Sequence, residues 1–263
     1  MPSYVVTGAA RGIGHEFAKQ LSANANNTVF ALVRNKATSQ KVEALARPNI
    51  YLIEADVTNY AAVKAAAKEV SDITGGTLDV LIHNAADIDP EGALFVLSEY
   101  TDDSQVEHFT KTFQTNALGA LHAANSFLSL LSAGATRKAI LISSGIASQQ
   151  LNEAAGIATH VPYIVSKTAA NTLWWKYAIE FKDRGFTFLA MSPGYVDSGS
   201  GPGDEKEQEG VRKLEAAIKC LVPNFKGKIT MEESVRDQLE TIGRVGPEYS
   251  GKFVSQRGNQ EWL

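Results

Sequence analysis

One cysteine, Cys220, stands in 263 residues. It excludes an intramolecular disulfide and a cysteine-rich metal site, and no metal is expected. Basic charge is scarce as well: 25 Lys and Arg face 29 Asp and Glu, a formal net charge of −4. A nucleic-acid binder shows a basic excess or patch; this chain shows neither, so no nucleic-acid partner is expected. The longest charge-free segment, 112–136, is interrupted by Gln114, Asn116, His122 and Asn125. A bilayer span needs about 20 mostly apolar residues, so this segment reads as a buried helix, with no membrane partner. Met1-Pro2-Ser3 leads straight into Tyr4-Val5-Val6, without the basic and apolar regions of a signal peptide. The expected location is therefore the reducing cytoplasm. With 44% apolar and 21% charged residues, disordered and fibrous classes are excluded and a real core is affordable.

Short β-branched runs alternate with helical stretches. Tyr4–Thr7, Thr28–Val33, Ile50–Ile53, Leu78–Ile82, Ala139–Ser143, Phe186–Met191 and Lys252–Ser255 read as strands, most of them nearly continuous apolar runs. Strands buried on both faces look like that, which implies a parallel sheet covered by helices on both sides. Helices are expected over 13–23, 38–46, 59–73, 104–131, 163–183 and 231–243. No repeat or linker divides the chain, so residues 1–263 are expected to form one α/β domain. The charged stretch Gly199–Gly210 follows the sixth strand, on the side where a doubly wound sheet has its ligand crevice. It reads as a substrate-side loop.

Thr7-Gly8-Ala9-Ala10-Arg11-Gly12-Ile13-Gly14 follows the first strand and opens a helix. Glycines there let the backbone approach a pyrophosphate, and the helix N-terminus supplies free N–H groups and positive dipole. A bare Gly-rich turn gives the same pattern. The residue about 20 positions on separates the cofactors: an acid holds a ribose 2′-hydroxyl, an arginine accommodates a 2′-phosphate. Arg34 stands there, and Arg11 lies in the loop itself. Two guanidiniums can clamp a phosphate, which favours NADP(H) over NAD(H).

Tyr163 and Lys167 are spaced i, i+4 and share a helix face. A neighbouring ammonium favours phenolate, so the tyrosine is expected to ionise more easily and to serve as a proton donor or acceptor. Alone, the pattern also fits an ordinary surface pair.

Taken together, TGAARGIG, Asp56-Val57, His83-Asn84-Ala85-Ala86, Asn116, Ile142-Ser143-Ser144, Tyr163-Ile164-Val165-Ser166-Lys167 and the 192–198 run SPGYVDS resemble the short-chain dehydrogenase/reductase family, in its order and over essentially the whole chain. The tail GKFVSQRGNQEW, Asn171 and the long Ser-to-Tyr spacing are similar to its carbonyl-reductase branch, which includes sniffer-like and C-factor-like reductases, and to fungal ketoreductases of the norsolorinic acid type. The resemblance implies a single-domain Rossmann fold, a doubly wound seven-stranded parallel sheet with helices on both faces. It implies hydride transfer from NADPH to a ketone or aldehyde, with Tyr163 as general acid and Lys167 lowering its pKa and binding the nicotinamide ribose. Ser144 would polarise the carbonyl, with Ser143 as the fallback, and Asn116 would support a water relay to Lys167. Gly8, Arg11, Gly12, Ile13, Gly14, Arg34, Asn35, Asp56, Val57, Asn84, Ala85, Pro193, Val196 and Ser198 would hold the cofactor, Asn84 through the adenosine ribose region or the central strand backbone.

The chain departs from the family at Ala86, where a glycine is usual, at His83, read as a structural strand-end residue, and at Ser198, which keeps the hydroxyl of the usual threonine. The 149–160 insertion is expected to wall the substrate site, together with Ile146, Tyr195 and the segment 199–225. That mix suits an apolar, aromatic or polyketide-like carbonyl compound. Alcohol oxidation with NAD(P) and a non-catalytic cofactor-binding protein are the alternatives. A homodimer or homotetramer is implied through the helices 104–131 and 163–183, whose faces carry Phe109, Phe113, Leu118, Leu121, Leu128, Leu173, Trp174, Trp175 and Ile179.

Overall fold

The apolar runs build one sheet of seven strands: β1 (Ser3–Thr7), β2 (Thr28–Val33), β3 (Ile50–Glu54), β4 (Val80–His83), β5 (Lys138–Ile142), β6 (Thr187–Met191) and β7 (Phe253–Val254). All pairings are parallel, in the order β3-β2-β1-β4-β5-β6-β7. The computed structural model describes residues 1–89, 92–197 and 225–262, with positions 205, 208, 211, 212, 215, 216, 218 and 219.

The helices are α1 (Gly12–Ser22), α2 (Gln40–Glu43), α3 (Tyr60–Thr74), α4 (Asp103–Phe113), α5 (Gly119–Ala133), α6 (Gln149–Ala155), α7 (Val161–Glu180) and α8 (Met231–Arg244). Successive strand residues point to opposite faces, and adjacent residues of β1 go into different cores. Val5 packs with Val63 of α3, Phe127 of α5 and Trp174 of α7. Val6 packs with Phe17 of α1 and Val235 of α8. The strand order reverses between β1 and β4, so the crevice opens at their carboxyl ends.

Several boundaries differ from expectation for physical reasons. β4 begins at Val80, not Leu78, because the Leu78 N–H is given to the Leu130 carbonyl at the end of α5. The helix expected over 104–131 is broken by a π-turn, Gln114–Leu118. Only four residues of 38–46 form α2, after a 3-10 turn capped by Asn35. The 149–160 insertion contains a helix, α6, capped at its start by Ser148 and closed by left-handed Gly156. Of the residues expected on an interface, Trp174 is core, 1% exposed, and donates its indole N–H to the Ala139 carbonyl. Leu121, Leu128 and Leu173 lean against that core, while Phe113, Leu118, Trp175 and Ile179 are exposed. Among the described residues, no helix is long and apolar enough to cross a membrane, and no cluster of three or more His, Cys, Asp or Glu is placed for a metal.

Candidate active site

The loops after β1, β4, β5 and β6 meet at one edge of the sheet. The loop after β1 is fastened by a buried hydroxyl. Thr7 Oγ1 accepts the backbone N–H groups of Asn84 and Ala85, both at 3.1 Å. Its own proton is then left for His83 Nδ1, also 3.1 Å away, which places the imidazole proton on Nε2. Among the described residues the buried Nε2 has no partner. Burial, and then the charge of Lys167, lowers the His83 pKa to about 3, so the ring is neutral. His83 is thus the structural strand-end residue that its sequence position suggests.

Asn84 Nδ2 reaches the carbonyls of Thr7 and Gly8, each at 3.3 Å. Its side chain therefore braces the glycine loop. Gly8 has φ +67° and lies so close to the β4 end that a Cβ would sit 2.7 Å from Ala85 Cα. A Cβ on Gly14 would fall 2.3 Å from the Gly8 carbonyl and 2.5 Å from Asn84 Nδ2. Backbone on one side and a bonded amide on the other leave no room to yield. Gly14→Ala should therefore cost about 1–3 kcal/mol, seen in calorimetry as a Tm several degrees lower. An unchanged Tm would contradict this packing. Gly12, φ +60°, has nothing within 4 Å of a Cβ position, so the loop's outer side is open. Ile13 opens α1 and leans on its core.

Arg11 and Arg34 are exposed, and among the described residues neither guanidinium has a hydrogen bond or ion pair. Asn35 spends its side chain on the Ala37 N–H, 2.8 Å. Asp56 Oδ1 receives the N–H and hydroxyl of Thr58, 2.9 and 2.8 Å. Val57 is 7% exposed; its carbonyl accepts from His122 Nδ1 at 2.9 Å, and Gly119 is its close neighbour.

Across the crevice, α7 begins at left-handed His160, whose N–H bonds the Ala93 carbonyl at 2.7 Å. This start presents Tyr163 and Lys167 to the ends of β4 and β5. Lys167 is 2% exposed; its Nζ donates to the Ile142 carbonyl at 2.8 Å and lies 5.8 Å from the Tyr163 ring centre. Burial lowers its pKa to about 8. Tyr163 departs from expectation. Burial raises its pKa, and only the Ser144 hydroxyl pulls the other way. Desolvating the phenolate outweighs that hydrogen bond, so the ligand-free phenol is protonated at neutral pH.

Ser144 follows β5 and lines a cavity with Ile146, Leu151, Ile157, Tyr195 and Trp262. The Ser143 hydroxyl is buried, has no partner among the described residues and is not part of that lining. Asn116, 0% exposed, sits in the π-turn. Its Oδ1 accepts the Asp87 N–H at 2.7 Å, and its Nδ2 donates to the Asp87 carbonyl and Ser166 Oγ, both 2.9 Å. The side chain is thus a clamp between the 84–89 segment and α7. π-turns often mark functional sites.

On the β6 side the Pro193 carbonyl accepts from Ser234 Oγ at 2.6 Å, and Val196 pairs with Ile229 in an isolated bridge. Ser198 and most of 199–225 lie outside the described residues, though Ile218 joins the cavity lining. Sequence reasoning missed Ser166, three positions after Tyr163, and Trp262 as a cavity wall. The i, i+3 spacing to Tyr163 was the available signal for the first.

A model of the short chain dehydrogenase family matches residues 3–209. The short-chain dehydrogenase/reductase AacuF of Aspergillus aculeatus is 39% identical over 266 residues, covering 100% of both chains. The short chain dehydrogenase virK of Hypocrea virens is 37% identical over 274 residues, again covering 100% of both. Among solved structures, NADPH-bound carbonyl reductase from chicken fatty liver superposes with TM-score 0.80 at 26% identity, over 98% of this chain and 93% of that one. Carbonyl reductase Sniffer of D. melanogaster shares the fold, with TM-score 0.77 at 22% identity over 98% of both. The chain therefore belongs to the short-chain dehydrogenase/reductase family of oxidoreductases, and its likenesses include that family's carbonyl reductases.

Proposed function

We propose that this protein reduces a ketone or aldehyde to an alcohol with NADPH, using Tyr163 as general acid. The observation that carries the reading is the meeting of the Ser144 hydroxyl and the Tyr163 phenol, with Lys167 buried close by. The residues fit a dinucleotide: the loop is open above Gly12, and among the described residues Arg11 and Arg34 have no partner, as suits a 2′-phosphate. Gly8, Gly14, Ile13, Asn35, Asp56, Val57, Asn84, Ala85, Pro193, Val196 and Ser198 complete the proposed cofactor site. The bound cofactor would supply hydride to the carbonyl carbon.

The chain's own residues do the rest. Ser144 donates to the substrate oxygen and stabilises the charge that grows there. Tyr163, held protonated by burial, gives that oxygen its proton. Lys167, anchored on the Ile142 carbonyl, has N–H groups left for the cofactor ribose and favours the phenolate left behind. Asn116 holds α7 and the 84–89 segment in register and supports the proton's return path. An apolar, aromatic or polyketide-like substrate suits Ile146, Leu151, Ile157, Tyr195 and Ile218, in what we read as a single domain. Exposed Phe113, Leu118, Trp175 and Ile179 are the surface we assign to a second copy of this chain.

The direct test is NADPH absorbance in the presence of aromatic ketones, quinones and polyketide-like carbonyls. Consumption is expected with at least one class, and none with any carbonyl would refute the reading. Its pH dependence follows from Lys167. A lysine ordinarily titrates near about 10.4, but this one loses its charge as pH rises through about 8. kcat/KM for NADPH, which reports the free enzyme, should fall above that pH. A profile flat through about pH 10, near the ordinary lysine value, would remove Lys167 from the cofactor site.

A further inference from the structure

Residues 255–262 are tied down by a set of hydrogen bonds. After β7, the Ser255 N–H bonds the Asn259 carbonyl, and Gly258 N–H returns to the Ser255 carbonyl at 2.9 Å. Thr241 of α8 fixes the Gln256 carbonyl at 2.8 Å. Asn259 Oδ1 receives the Glu261 N–H at 3.1 Å. This knot turns the chain back, so that Trp262 stacks on Phe253 with ring centres 4.3 Å apart and planes 29° from parallel. There Trp262 becomes a wall of the cavity that holds Ser144. Gly145, the residue after Ser144, lies against it: a Cβ there would touch Trp262 Cβ at 3.4 Å, an ordinary contact. Among the described residues the indole N–H has no acceptor.

Resting on the carbonyl-reductase reading, we propose that Trp262 is a specificity-determining residue, whose indole selects carbonyl substrates that carry a flat aromatic ring. Phe253 holds the indole in place, so the ring meets a ligand already oriented. Ile146, Leu151, Ile157 and Ile218 supply apolar lining without a π-face, and Tyr195 is the other aromatic of that lining. An aromatic pair contributes beyond its buried area, and an aliphatic aldehyde gains none of this. The free indole N–H offers a second polyketide-like oxygen a donor.

The test compares 1-tetralone with propanal in wild type, Trp262→Ala and Trp262→Phe, together with calorimetric titration of 1-tetralone into the ligand-free proteins. In Trp262→Ala, KM for 1-tetralone should rise roughly fivefold or more, the size of an aromatic contact, and KM for propanal by a clearly smaller factor. The dissociation constant of 1-tetralone should rise in parallel with its KM, and Trp262→Phe should restore most of both. Equal effects on the two substrates, or none, would overturn the inference. If wild type reduces neither compound nor any other carbonyl, the functional reading fails instead, and the titration still reports whether Trp262 binds the ring.

Discussion

Tyr163→Phe should lower turnover by about 10³-fold, within the range of a lost general acid, while NADPH binding stays within about twofold of wild type, since an interaction absent from the ground state is removed. The substitution deletes one oxygen and keeps the ring beside Lys167, whose Nζ lies 5.8 Å from its centre. Burial keeps the wild-type phenol protonated, the state that the proposed reduction needs of its donor, and Phe offers the substrate oxygen no proton. Ser144 would remain to orient the carbonyl, leaving a slow background rate. Single-turnover kinetics with a fluorescence titration of NADPH separate the two effects. Activity within tenfold of wild type would show that another group delivers the proton.

Arg34→Asp should shift cofactor preference by roughly 100-fold toward NADH. A hydrogen bond between charged groups is worth about 1.5–3 kcal/mol, or about ten- to 150-fold in binding, and the new carboxylate adds repulsion toward a 2′-phosphate. The change needs no repacking, because Arg34 is exposed and has no partner among the described residues. KM for NADPH should rise while KM for NADH changes little. Salt should weaken NADPH binding in wild type and matter less in the variant, since exposed charges are screened. Equal use of both cofactors by wild type would remove the argument for a 2′-phosphate site.

The sheet was legible because its strands are buried on both faces. Thr28–Val33, an unbroken apolar run apart from its first residue, matches β2 at both ends. The glycine loop was legible because tight turns and close backbone approaches have few solutions. Features set by tertiary contacts were not. The run QTNAL holds no glycine or proline to announce a π-turn; three side-chain bonds from Asn116 accompany it. Trp174 and Trp175 look alike in sequence, yet one is 1% and the other 50% exposed, because α7 has apolar residues on every side. The upward shift of Tyr163 depends on burial that an i, i+4 spacing does not report. Trp262 lies beyond the last strand, where no periodicity assigns it to a face.

The π-turn has an evolutionary consequence. It amounts to one extra residue in a long helix, and each helical residue turns the chain by about 100°. The two halves are thereby put out of phase and need not share one apolar stripe. α5 buries seven residues, Gly119, Ala120, Ala123, Ala124, Phe127, Leu130 and Leu131, whereas α4 buries only Thr112. Selection on the hydrophobic core thus falls heavily on the later half and lightly on the earlier one. Substitutions within 103–111 should therefore cost less core packing than substitutions within 119–131, while the sheet beneath stays as it is.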